Sequence, residues 1–132
     1  FILFIALILF IIPYFESSFR NLRTYINQYI KLNTALISSL KNIDLSNSIY
    51  EDGIKIIKKY FNKKNILSSI NIDISSLKSI LKDKIKSNDF DTISKLLEEF
   101  QAKSYSQLKD NKDEENIKKS LKKILKRIDE YV

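Results

Sequence analysis

One glycine, Gly53, and one proline, Pro13, serve all 132 residues. Sandwiches and barrels of β-strands need many tight turns, and those turns draw on glycine for positive φ and on proline for a fixed one. A chain this poor in both is pushed towards helices, which satisfy their own backbone hydrogen bonds and need only a few links. The length fits one domain with an independent core.

The apolar spacing says the same. Phe19, Leu22, Ile26, Tyr29, Leu36, Leu40 and Ile43 follow a three-four repeat, which predicts a long amphipathic helix over residues 17–43. Asn33 takes one slot of that seam, either as a register-fixing polar residue or as one tolerated near a gap. A break is expected at 44–47. A second helix over 48–62 places Tyr50, Ile54, Ile57 and Phe61 on one stripe, widened by Ile56 and Tyr60, with Gly53 weakening it by about 1 kcal/mol. Residues 62–65 read as a turn. The stretch 66–86 is ambiguous. Leu67, Ile70, Ile74, Leu77, Leu81 and Ile85 have helical spacing, whereas Ile70, Ile72 and Ile74 also alternate as in a strand. A lone strand would have no partner, so helix is favoured. Ser87-Asn88-Asp89 reads as a cap for a fourth helix over 89–108 carrying Phe90, Ile93, Leu97, Phe100 and Leu108. The polar run 109–115 is an exposed bend or helical turn. A fifth helix over 114–131 carries Ile117, Leu121, Ile124, Leu125 and Ile128. The predicted class is all-α: an antiparallel bundle of roughly three to five amphipathic helices joined by short polar links.

Residues 1–15, FILFIALILFIIPYF, carry no charge and no strongly polar side chain. That is less than the ~20 residues that cross a bilayer comfortably, and it suits the apolar region of a secretory signal. Pro13 fits the helix break that often precedes cleavage. The chain opens without Met, so lost residues upstream, with a basic residue or two, would complete the pattern. The cleavage signal itself is poor: cutting after Ser18 places Glu16 at −3, and cutting after Ser17 places Phe15 there. A cleaved signal, an uncleaved anchor and a buried core helix are the alternatives, in that order. The expected division is 1–18 as signal or anchor and 19–132 as one helical domain outside the cytosol.

Composition excludes much chemistry. With no Cys and no His there is no disulfide framework, thiol nucleophile, imidazole base or ordinary zinc site. One glycine excludes the glycine-rich phosphate loops. The adjacent carboxylates Glu98-Glu99 and Glu114-Glu115 point in different directions on a helix and read as solvated surface. No enzyme activity, catalytic residue, metal or cofactor is expected. The net charge is +7, which favours anionic partners, although AT-rich codon bias would enrich Lys, Ile and Asn as well. The sharpest charged feature is the C-terminal run IKKSLKKILKRIDEYV, where Lys118, Lys119, Lys122, Lys123, Lys126 and Arg127 surround an apolar stripe. It reads as a bundle helix with a solvated basic face, or as a contact for an anionic membrane surface. Nucleic acid is disfavoured, because no aromatic-interleaved basic motif appears. Tyr25, Tyr29, Tyr50, Tyr60 and Tyr105 are expected at the edge of the core, or lining a gap for an apolar ligand.

Two stretches carry a family resemblance. Phe19-Arg20-Asn21 is similar to the opening of the first helix in the mite group 5 and group 21 allergens. DFDTISKLLEEFQAKSYSQL, residues 89–108, is similar to the opening of that family's last helix, with Asp89, Asp91, Lys103, Ser104 and Leu108 as the matching positions. The family's aromatic–Asn–aromatic–Glu signature is absent and the basic tail here is longer. The resemblance implies a secreted three-helix bundle, self-association, IgE reactivity, an apolar ligand and no enzyme activity, and it transfers no site. The functional expectation is a secreted, non-enzymatic helical protein that binds a partner protein or an apolar ligand. The alternative is a membrane-anchored helical interaction protein with a basic surface helix.

Overall fold

The computed structural model describes residues 2–104 and 111–132, excepting the side chains of Tyr14, residues 28–33 and Asn111. The expectations for Tyr29, Asn33, Tyr105, Leu108 and residues 109–110 therefore lie outside the described residues. Among the rest there are five helices and no strand: α1 (Ile2–Leu45), α2 (Ile49–Lys63), α3 (Ile74–Lys84), α4 (Ser87–Lys103) and α5 (Asn111–Asp129). The fold is an all-α bundle. Two compact units divide it, Phe1–Asn33 and Thr34–Val132.

In the first unit the expected seam does not pack. Phe19 is 64% exposed and Leu22 and Ile26 are exposed too. Periodic apolar residues show that one face of a helix is apolar, not what covers it. Pro13 lies inside α1 and does not end it, contrary to the expected break. Proline removes one N–H and crowds the carbonyl a turn earlier, which disfavours it inside a helix without excluding it.

The second unit begins at Thr34. Residues 34–45 of α1 contribute Ala35, Ser39 and Ile43 to its interior. Helix α4 lies at the centre, touching α2, α3 and α5, while α2 also meets α5. Its buried stripe is Asp89, Ile93, Leu96, Leu97 and Phe100. All five apolar residues expected to face inward on α5 are buried.

Helix α2 ends in a Schellman turn. Asn65 adopts φ 61°, a left-handed conformation that asparagine tolerates. The Asn65 N–H donates to the Asn62 carbonyl at 3.0 Å and the Ile66 N–H to the Phe61 carbonyl at 3.0 Å. The expected turn at 62–65 is thus this cap. The favoured helix over 66–86 forms only from Ile74, because side chains hold the preceding stretch irregular. Asn62 Nδ2 donates to the Leu67 carbonyl at 3.1 Å and Lys58 Nζ to the Ile72 carbonyl at 2.6 Å. Leu67 is buried, and the Asp73 carboxylate then caps α3 by accepting from the Ser76 N–H at 2.9 Å.

Gly53 has a packing role that its helix propensity does not reveal. A Cβ there would stand 2.5 Å from the Phe100 ring. Phe100 is fully buried and meets Tyr50 edge-on, ring centres 6.5 Å apart. Glycine lets α2 and α4 approach. Tyr50 and Tyr60 are buried, the half-exposed Lys103 covering one ring and the Asp129 carboxylate meeting the hydroxyl of the other, whereas Tyr25 is exposed.

Candidate functional site: the basic face of the last helix

The six basic residues singled out on α5 fall into three groups. The apolar stripe fixes the register, so residues opposite it face water and residues beside it face neighbouring helices. Lys118 and Lys122 flank the stripe on the side of the α1–α2 link. Lys118 Nζ donates to the Ser46 carbonyl at 2.8 Å, and Lys122 pairs with Asp44. Arg127 flanks the other side and reaches Asp89 of α4 at 3.5 Å. Lys119, Lys123 and Lys126 face outward, exposed, with no ion pair or hydrogen bond among the described residues. The structure therefore does not present the six together as one contact. Three are tied into the bundle, and the outward basic face is Lys119, Lys123 and Lys126.

The residues after α5 close the bundle, a role the sequence reading missed. The Tyr131 hydroxyl donates to the Asp89 carboxylate at 2.6 Å and accepts from the Lys86 N–H at 3.1 Å. The Lys86 ammonium sits 4.7 Å from the Tyr131 ring centre. Asp89 is 2% exposed, so it is part of the core and not the helix cap expected from Ser87-Asn88-Asp89; the cap position falls on Lys86. On the opposite flank the Tyr60 hydroxyl donates to Asp129 at 2.7 Å, and Lys64 pairs with the same carboxylate at 2.7 Å.

Burial, and then the bond to Asp89, raise the Tyr131 hydroxyl from 10.0 to about 12. Burial and the bond to Asp129 raise Tyr60 as well. A phenol raised on folding supports the fold fully below its unfolded value and loses that support as pH climbs to the folded one. Stability is therefore expected to hold to about pH 10 and to fall between pH 10 and 12, read by ellipticity against pH. Tyr131→Phe leaves Asp89 buried with only the long Arg127 contact and should cost about 1–3 kcal/mol in a urea melt at neutral pH.

The adjacent carboxylates separate as their spacing requires: Glu98 pairs with Lys78 and Glu99 with Lys103, both at 3.1 Å. Among the described residues no group of three or more carboxylates gathers to hold a metal. No family model, curated protein or solved structure matches the chain.

Proposed function

We propose that this chain is a non-enzymatic helical bundle held at a membrane by its N-terminal helix, and that it acts by binding an anionic surface through Lys119, Lys123 and Lys126. The observation that carries the anchoring is the surface of the first unit. Ile2, Leu3 and Phe10 are more than 80% exposed, and Phe4, Leu7 and Leu9 more than half. An apolar surface of that extent needs a cover, and a bilayer is one that asks only for length. The segment Ile2–Asn27 is long and apolar enough to cross; at 1.5 Å per residue, 26 residues reach about 39 Å, against about 30 Å of hydrocarbon. The charges Glu16, Arg20 and Arg23 fall in its second half, where long basic side chains reach the headgroups.

Secretion after cleavage is the second reading, favoured by the shortness of the uncharged stretch 1–15. Against it stand the bulky or charged residue at −3 and the unbroken helix through Ser17-Ser18. The filled core around Tyr50, Gly53 and Phe100 weighs against an apolar ligand there. Self-association and IgE reactivity are implications of the allergen resemblance alone and are separate from this reading. N-terminal sequencing of the native protein tests the anchor. Residues 2–15 still attached in the membrane fraction support it, and a soluble product beginning near Phe19 refutes it.

A further inference from the structure

We propose that the groove between α4 and α5 lined by Thr92, Ser120, Lys123 and Arg127 is a binding site for a phosphate monoester. It is a depression of about 220 Å³ whose remaining lining residue is Ile124. Every polar side chain that lines it is a hydroxyl, an ammonium or a guanidinium, and no carboxylate opens into it. Two other depressions on the bundle differ in this respect: one includes Asp52 and the other Glu51. A lining of donors without acceptor charge selects an anion.

The arrangement also has depth behind it. Ser120, Lys123 and Arg127 lie three and four residues apart, so they share one flank of α5. The buried Asp89 holds Arg127 by one long contact and is itself held by Tyr131. Arg127 remains 53% exposed, with donors left over. Its planar fork suits two oxygens of one phosphate, while Lys123 supplies a point charge four residues earlier. The Ser120 hydroxyl has no partner among the described residues, and the Thr92 hydroxyl, now donating to the Asn88 carbonyl at 3.1 Å, can turn outward. A monoester, with up to two charges and three free oxygens, uses this set more fully than a diester does. The groove shares Lys123 with the basic face, but its selectivity does not depend on how the chain is held at a membrane.

The test uses the full chain in a neutral detergent and two probes. Inorganic phosphate is titrated while the amide resonances of residues 92, 120, 123 and 127 are followed. The chain is then reconstituted, free of detergent, into phosphatidylcholine vesicles containing phosphatidic acid or, at matched surface charge, phosphatidylserine, and the same resonances are compared. The site predicts saturable shifts at those four residues with phosphate, or larger shifts with phosphatidic acid than with phosphatidylserine. Shifts with phosphate alone identify a free phosphate compound as the ligand, and preference among vesicles identifies a lipid headgroup. Ser120→Glu places a carboxylate inside the groove, whereas Asn116→Glu adds the same charge one turn away. Ser120→Glu should weaken binding about tenfold or more, the scale of one charged hydrogen bond, and Asn116→Glu far less. Equal losses from the two variants, or neither shifts nor discrimination between the lipids, would overturn the assignment.

Discussion

Phe100→Ala is expected to lower the unfolding free energy by about 3–5 kcal/mol, the cost of emptying a fully buried aromatic site. Gly53→Ala is expected to change sign with it. In the natural chain the new methyl would enter the Phe100 ring at 2.5 Å. The overpacking cost, about 1–3 kcal/mol, then opposes a gain in helix propensity of about 1 kcal/mol. The single variant should therefore lose stability. Once Phe100 is Ala the space is open, the propensity gain stands alone, and Gly53→Ala should stabilise. A double-mutant cycle from urea melts reads this directly. Additive effects would mean that α2 and α4 do not meet at this point.

Leu7→Arg combined with Phe10→Arg is expected to remove the protein from membranes. An arginine costs up to about 2.5–3.5 kcal/mol at the centre of a spanning helix and less towards its ends, and the favourable transfer of the apolar residue is lost as well. Two such changes amount to at most roughly 6–8 kcal/mol, enough to shift the chain out of the inserted state. The unit Thr34–Val132 has its own core. Its melting should therefore be unchanged, which separates failed insertion from failed folding. Undiminished membrane recovery of the double variant would show that residues 2–15 are not what holds the chain there.

Much of the bundle was legible because water and core impose opposite demands at fixed helical intervals. Ile117, Leu121, Ile124, Leu125 and Ile128 could only be one face, and Asn65 at the end of α2 is a residue suited to a left-handed cap. The unread parts depend on contacts that periodicity does not encode. Leu67 is buried through a cap and two side-chain staples, so residues 66–73 matched helix and strand templates without being either. Asp89 sits in register with Ile93, Leu97 and Phe100, a sign of burial that was present in the sequence. A short polar side chain before a helix also reads as a cap, and the deciding partner, Tyr131, is 42 residues away. The lysines of α5 are alike in sequence, and only Asp44 and Ser46 distinguish Lys122 and Lys118 from their neighbours. The seam from Phe19 to Ile26 shows the same limit from the other side, since an apolar face against lipid and one against protein have the same spacing.

Alkaline carbonate extraction of native membranes tests the anchored bundle most directly. The ionic strength of the carbonate wash screens electrostatic adhesion through the exposed Lys119, Lys123 and Lys126. The bundle is itself losing the support of Tyr131, so only apolar insertion remains to hold the chain. An anchored bundle stays in the membrane pellet with residues 2–15 attached. Its release into the supernatant would contradict that.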